Sequence, residues 1–362
     1  MIGAPSTGEG LMRKHLWLVA VVVALATPAA AAADVAHVGY PSSIASTGDS
    51  ITRAFNTCSF PFVDCPQNSW STGSSSAVNS HYRRILAANA AISGRNYNDA
   101  HTGAKMAGLN GQVGAAVAQQ VDYVTVLMGA NDVCTSSVST MTPAATLAAQ
   151  LRTALQTLSA GLPNARIFVA SVPNVYRLWA ILHTDLLAVL TWDIGGICQS
   201  LLANPTSTAP ADVARRQQVY DRTVADNVAI ANVCAQFVHC RFDGNAAFNS
   251  PFTTANVSTR DYFHPSVSGQ AKAAAVTWLA TFDFTDAVAP TSSPQTAPDP
   301  NGGTDVTLFA TDNVGVAGIE YALGTGSYQR YARMILVPAG VTLTYRAVDV
   351  NGNTEATHRL TG

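Results

Sequence analysis

The feature that most constrains this chain is an alternation of short apolar runs with longer helical patterns. Ser43–Thr47, Tyr123–Met128 (YVTVLM) and Ala165–Val172 (ARIFVASV) read as strands. His81–Asn89, Ala144–Ser159 and Pro210–Cys234 read as helices. Strands separated by helices predict βαβ units and a parallel sheet. A chain of 362 residues has room for that unit and a second domain. With 48% hydrophobic and 12% charged residues, most of it cannot be a disordered polyelectrolyte. Twenty basic residues against 22 acidic ones leave a formal charge of −2, which gives no footprint for nucleic acid and no polybasic membrane patch.

The N-terminal residues read as an export signal. Arg13 and Lys14 precede an apolar run from Leu16 to Ala26, then Thr27-Pro28 and an alanine string ending near Ala33. Residues 1–33 are therefore expected to be removed, with Met12 as an alternative start. The run is too short for a membrane span, and no other stretch approaches about 18 apolar residues. The mature protein is expected to be secreted, extracellular and free of any integral membrane segment.

The six cysteines, Cys58, Cys65, Cys134, Cys198, Cys234 and Cys240, all follow that segment. An even count in an oxidising compartment predicts disulfides. Cys58 with Cys65 and Cys234 with Cys240 would close short loops, which leaves Cys134 with Cys198. No C-x-x-C pair and no H-E-x-x-H occurs, so no metal site is expected.

Composition divides the remainder. Residues 34–286 carry the α/β pattern, and 287–303 (AVAPTSSPQTAPDPNGG) are proline-rich without an aromatic residue, as in an extended, semi-rigid linker. Residues 304–362 hold the strand patterns DVTLFATD, GIEYALG, MILVPAG and VTLTYRAVDV, which predict a small all-β sandwich. Through GIEYALGTGSYQRY and TYRAVDVNGNTE this tail resembles the immunoglobulin-like repeats appended to exported bacterial hydrolases. Asp349, Asn351 and Asn353 have the spacing of a calcium loop, but its glycine and terminal glutamate are misplaced, and a polar hairpin turn reads better.

Four short blocks carry the candidate chemistry. Gly48-Asp49-Ser50 follows the first strand and opens a helical pattern, which exposes the Ser50 hydroxyl and frees its amide. Alone the tripeptide is weak, because serine is a common helix cap. His101-Thr102-Gly103 supplies a glycine whose backbone can approach another group. Gly129-Ala130-Asn131-Asp132 follows YVTVLM, at the sheet edge where α/β proteins build sites; there Asn131 can offer its amide and Asp132 can cap the following segment. In Asp261-Tyr-Phe-His264 a carboxylate and an imidazole stand one turn apart.

In this order the blocks resemble the SGNH (GDSL-type) hydrolase superfamily, from Ile44 to Leu279. GDSIT, NSWSTG, HTGAKMAGLNGQV and MGANDVC make the likeness phospholipase-B-like. The resemblance implies a three-layer α/β/α sandwich on a short parallel sheet. It also implies ester hydrolysis through an acyl-enzyme, by a monomer without metal or organic cofactor. Ser50 would be the nucleophile, His264 the base and then the acid, and Asp261 the group that orients His264. The N–H groups of Ser50 and Gly103 and the amide of Asn131 would form the oxyanion hole.

Each role has a plainer counterpart. Asp261 could cap its own turn while a backbone carbonyl orients His264, and Asn131 could satisfy a turn. His81, His101, His183 and His239 have no partner pattern and read as structural or exposed. The apolar stretch Arg177–Trp192 reads as an acyl-binding wall or lid, or equally as a buried helix. The expected activity is that of a lipase or esterase, phospholipase and lysophospholipase included, on a lipid or a short-to-medium acyl ester. The alternatives are a carbohydrate O-acetyl ester, or a non-catalytic wall- or glycan-binding protein.

Overall fold

A computed structural model describes Gly3, residues 39–300 and residues 302–362. Apart from Gly3, the export-signal segment lies outside the described residues. In chain order the first elements are β1 (Ile44–Gly48), α1 (His81–Ala88), β2 (Asn96–Asn98), α2 (Leu109–Gln119), β3 (Tyr123–Leu127) and α3 (Ala130–Val133). Next come α4 (Ala144–Gly161), β4 (Arg166–Val169), α5 (Val175–Leu182), α6 (Leu186–Gly195) and α7 (Gln199–Leu202). The α/β part closes with α8 (Pro210–Cys234), β5 (Cys240–Phe242) and α9 (Val267–Ala280).

The sheet order is β2-β1-β3-β4-β5, and every pair is parallel. Alternate side chains of a strand face opposite sides, so one strand feeds two cores. From β3, Val124 and Val126 pack with Val113 of α2, Leu151 and Leu155 of α4 and Ile230 of α8. Tyr123 and Leu127 face the other way, onto Ile85 of α1, Ala274 of α9 and Trp70. Helices therefore cover both faces, as the three-layer sandwich requires. His81 lies in the second core between the Tyr123 hydroxyl at 3.0 Å and Thr277 Oγ1 at 2.9 Å. Burial, helped by Arg84, lowers its pKa to about 3, so the ring is a neutral structural bridge.

The tail contains β6 (Thr291–Pro298), β7 (Thr304–Thr311), β8 (Val316–Leu323), β9 (Gln329–Arg330), β10 (Ile335–Val337), β11 (Thr342–Asp349) and β12 (His358–Thr361). Two antiparallel sheets, β10-β7-β6 and β12-β11-β8-β9, enclose Val306, Leu308, Ile319, Leu343 and Tyr345. The segment expected to be a linker is corrected here: Thr291–Pro298 is the edge strand β6, paired along β7 with Pro294 opposite Leu308. An edge strand pairs on one side only, so it tolerates prolines that a central strand would reject.

The sandwich is fastened to the α/β part by buried arginines. Arg166, at the start of β4, donates to Asn351 O (2.6 Å), Gly39 O (2.6 Å) and Asn353 Oδ1 (2.8 Å). Arg346 of β11 donates to Glu320 (2.6 Å), Asn164 Oδ1 (2.6 Å) and Pro163 O (2.9 Å). The Asp349–Asn353 segment is a polar turn: Asp349 Oδ1 accepts the N–H groups of Asn351 and Asn353, both at 2.8 Å. Its backbone and Asn353 hold Arg166. The described residues from Gly39 to Gly362 accordingly belong to one compact unit.

Asp226 on α8 is buried, and neither carboxyl oxygen has a hydrogen-bond donor among the described residues. Burial pushes its pKa up to about 7, with Arg222 opposing and Asp132 adding to the rise. The unfolded group ionises near 3.8, so its contribution to stability is complete below that value and is lost as pH rises through about 7. Asp226→Asn is expected to flatten the fall in Tm between about pH 4 and 7 and to gain several degrees above it. Differential scanning calorimetry across pH tests this; Tm profiles with the same slope in both proteins would contradict it.

Candidate active site

The strand order reverses between β1 and β3, and ligands of such sheets bind at the carboxyl ends beside that reversal. β1 ends at Gly48, where φ is +150° and an added Cβ would stand 2.4 Å from Leu127 O, so the position requires glycine. The Gln112 side chain pairs with Gly48 as a strand would, accepting from its N–H at 2.7 Å and donating to its carbonyl at 2.9 Å. Asp49 then turns inward, and its Oδ1 accepts the Ile51 N–H at 2.9 Å. Burial raises its pKa to about 7, well above the ordinary carboxylate range. Ser50 follows, pointing the other way.

Ser50 Oγ lies 2.7 Å from His264 Nε2, and His264 Nδ1 lies 2.7 Å from Asp261 Oδ2. Asp261 Oδ1 also accepts the backbone N–H groups of Phe263 and His264, both at 3.0 Å. The carboxylate thus caps its own turn and contacts the imidazole as well. Burial pushes Asp261 upward, but the hydrogen bond and charge of His264 and those two N–H groups hold it below the ordinary carboxylate range. It stays ionised where the histidine needs a fixed anion.

Sequence reasoning missed the group that steadies Asp261. Asn56 is buried at positive φ and donates its Nδ2 to Asp261 Oδ2. Arg260 grips the same segment through Asn56 O (3.3 Å), Phe60 O (2.8 Å) and Ser59 O (2.9 Å). The Cys58–Cys65 disulfide closes this loop. Phe55 packs on the His264 ring, with centroids 4.9 Å apart. On the opposite side Gln270 donates to Ile51 O at 2.7 Å and accepts from Trp70 N at 3.0 Å, fixing the turn after Ser50. No sequence pattern marks Asn56 or Gln270, because their partners lie some 200 residues away in the chain.

Gly103 and Asn131 are drawn toward the same end of the sheet. His101 N–H donates to Gly48 O at 3.1 Å, which hangs the glycine loop beside Ser50. Asn131 Nδ2 donates to Ala104 O at 2.9 Å, and Asp132 Oδ2 accepts Met106 N–H at 2.9 Å. Asp132, expected to cap the segment after it, clamps the loop before it through that oxygen, while its backbone carbonyl accepts the Thr142 N–H at 3.0 Å. Neither Ser50 nor Gly103 has a backbone acceptor for its N–H among the described residues. Asn131 uses one amide hydrogen on Ala104 and keeps the other. Behind Asn131 the Cys134–Cys198 disulfide and Ser200, which donates to Val133 O at 2.7 Å, pin the loop. Cys234 pairs with Cys240, so all three expected disulfides are formed.

A cavity opens beside Ser50, Asn131 and His264, with apolar walls from Ile51, Leu127, Val175, Leu178, Ile181 and Phe252; Gly103 is not part of its lining. The stretch expected to be one helix or lid breaks at His183–Asp185, where the Asp185 carboxylate caps α6 by accepting from Leu187 N and Ala188 N. α5 supplies cavity wall. α6 buries Trp192, whose Nε1 donates to Tyr262 O at 3.0 Å, but exposes Leu186, Leu187, Leu190 and Ile194. It is therefore not a buried core helix. Among the described residues no cluster of His, Cys, Asp or Glu is arranged to hold a metal ion, and no helix is long and apolar enough to cross a membrane.

A hydroxyl bonded to an imidazole that is bonded in turn to a carboxylate, with free N–H groups alongside, is an arrangement suited to acyl transfer. The family of GDSL-like lipases and acylhydrolases matches residues 47–272, more than half of the chain, and the chain belongs to that family. It is a carboxylic ester hydrolase. Similar solved structures include one assigned as a GDSL-like lipase from Parabacteroides merdae (19% identity, TM-score 0.43, covering 67% of this chain and 97% of that one). Another is an extracellular lipase from Streptomyces rimosus (17%, 0.41, 66% and 99%). A third is a catalytic mutant of an acetylxylan esterase from Geobacillus stearothermophilus (16%, 0.40, 69% and 99%). No curated protein matches the sequence.

Proposed function

We propose that the protein is an exported serine esterase that cleaves lipid-type acyl esters through an acyl-enzyme on Ser50. The observation that carries the substrate class is the apolar cavity opening directly beside the Ser50–His264 hydrogen bond. An acyl chain can be buried there, whereas an acetyl group on a sugar would leave that wall uncovered. Export is supported by the disulfides, which persist in oxidising compartments, together with the N-terminal sequence pattern.

The reaction follows from the hydrogen bonds. Ser50 Oγ attacks the ester carbonyl carbon while its proton passes to His264 Nε2. Asp261 stabilises the resulting imidazolium. The carbonyl oxygen takes up negative charge and is met by the Ser50 and Gly103 N–H groups and the second Asn131 amide hydrogen. Collapse breaks the bond to the alcohol, which leaves with the proton from His264. Water then attacks the acyl-serine, again giving its proton to His264; the acid departs and the proton returns to Ser50.

A panel of chromogenic esters with different acyl lengths, run beside acetylated xylan, tests the substrate class. Each buried methylene contributes about 0.8 kcal/mol, so kcat/KM should rise on the order of 10²-fold from acetate to hexanoate, with negligible release of acetate from xylan. The best turnover on acetate together with deacetylation of xylan would favour the carbohydrate ester instead.

A further inference from the structure

The loop closed by the Cys58–Cys65 disulfide carries a carboxylate that the hydrolytic steps do not use. Asp64 is half-buried beside Cys65. Its Oδ2 accepts from Arg53 Nε at 2.9 Å, and Arg53 Nη1 donates to Asn98 O, at the end of β2, at 3.3 Å. Cys65 N–H donates to Arg53 O at 3.0 Å. These bonds root the carboxylate in the segment that follows Ser50. With Oδ2 engaged there, Oδ1 accepts the Thr102 hydroxyl at 2.5 Å. Thr102 and Gly103 are the exposed tip of a β-turn that Ala104 N–H closes onto His101 O at 3.0 Å. Gly103 has φ of +80°, the value that the third position of a type II turn requires. Among the described residues, the bond to Asp64 is the only hydrogen bond made by either tip residue.

The turn is tied at its two ends, by His101 N–H on Gly48 O and by Asn131 on Ala104 O, and neither bond fixes the tip. The N–H that the reaction uses belongs to the Thr102–Gly103 peptide, at the tip itself, and Gly103 stands outside the cavity lining. A displacement of about 1 Å takes such a donor off the place where the oxyanion forms. We propose that Asp64 is a positioning residue, which through the Thr102 hydroxyl holds the Gly103 N–H toward the oxyanion. Threonine suits this task, because a branched side chain has few χ1 states and passes its anchor on to the backbone. Asn56, at the other end of the same loop, holds Asp261. One disulfide-closed segment therefore sets both the carboxylate behind His264 and a donor of the oxyanion hole. The inference rests on the reading of Gly103 as an oxyanion donor. That donor acts on charge that appears only in the transition state, so the effect falls on kcat rather than KM.

Kinetics on a chromogenic hexanoate ester, with inhibition by a hexyl trifluoromethyl ketone alongside, tests this role. Ser50 Oγ adds to the ketone carbon as its proton passes to His264, and the charged oxygen of the adduct occupies the oxyanion hole. Asp64→Ala and Thr102→Val should each lower kcat by about 10- to 100-fold, short of the loss on deleting a donor outright, with KM changed less than threefold. The Ki of the ketone should rise by the factor by which kcat falls. A contact that served stability alone would lower Tm and leave that Ki in place. The double variant should lose no more than either single one, since both break the same bond. Thr102→Ser keeps the hydroxyl and should recover most of the turnover. Thr102→Val changes one exposed side chain, so it decides the matter even if Asp64→Ala fails to fold. Unchanged kcat, a loss carried by KM, additive losses in the double variant, or no recovery with serine would overturn the role of Asp64 and leave the esterase reading standing. If Asn131→Ala also left kcat and the Ki of the ketone unchanged, the oxyanion reading itself would fail.

Discussion

His264→Ala is expected to lower kcat by about 10⁶-fold while leaving the protein folded, because the change removes both the base that activates Ser50 and the acid that protonates the leaving alcohol. The ring sits at the cavity wall rather than in the main cores, so the melting temperature should move little. Asp261→Asn should cost less, about 10⁴-fold, since the imidazole remains but loses the anion that fixes its tautomer. Asn56 donates to that same carboxylate oxygen and so holds Asp261 in place beside His264. The order of effects is itself informative. If Asp261→Asn turned over normally, the orienting group would be a backbone carbonyl and the carboxylate a turn cap only.

Asn131→Ala is expected to lower kcat by on the order of 10²–10³ with a small change in KM, because its amide matters once the carbonyl oxygen carries charge. The bond from Asn131 to Ala104 O adds a second effect: its loss should cost roughly 1 kcal/mol of stability and loosen the Gly103 loop. Measuring kcat on active-site-titrated enzyme, with melting curves alongside, separates the two. Normal turnover by a less stable protein would make Asn131 a turn residue; a large loss of kcat with a small shift in Tm places it at the oxyanion.

What was legible in the sequence was local. Ser50 and Asn131 stand where strands run out, and Asp261 and His264 share one turn, so short patterns carried them. β2 and β5 were not legible, because each spans three residues and Asn96-Tyr-Asn98 has no apolar run. The prolines of 287–303 pointed to extended chain, but pairing with β7 depends on residues beyond the segment. The Asp349–Asn353 turn was readable as a turn. Its function was not, since its partner Arg166 lies 185 residues earlier, looking from sequence like an ordinary strand-end cation. Asn56, Gln112 and Gln270 belong to the same class: polar side chains whose meaning comes from one distant backbone or carboxylate group.

The central claim is that Ser50, activated by His264, is the single nucleophile. Reaction of the purified protein with a fluorophosphonate, followed by intact-mass and peptide mapping, addresses it most directly. The account predicts one adduct per chain, on Ser50, formed in step with the loss of esterase activity and absent from Ser50→Ala and His264→Ala. An adduct on a different residue, or undiminished ester turnover by Ser50→Ala, would contradict it.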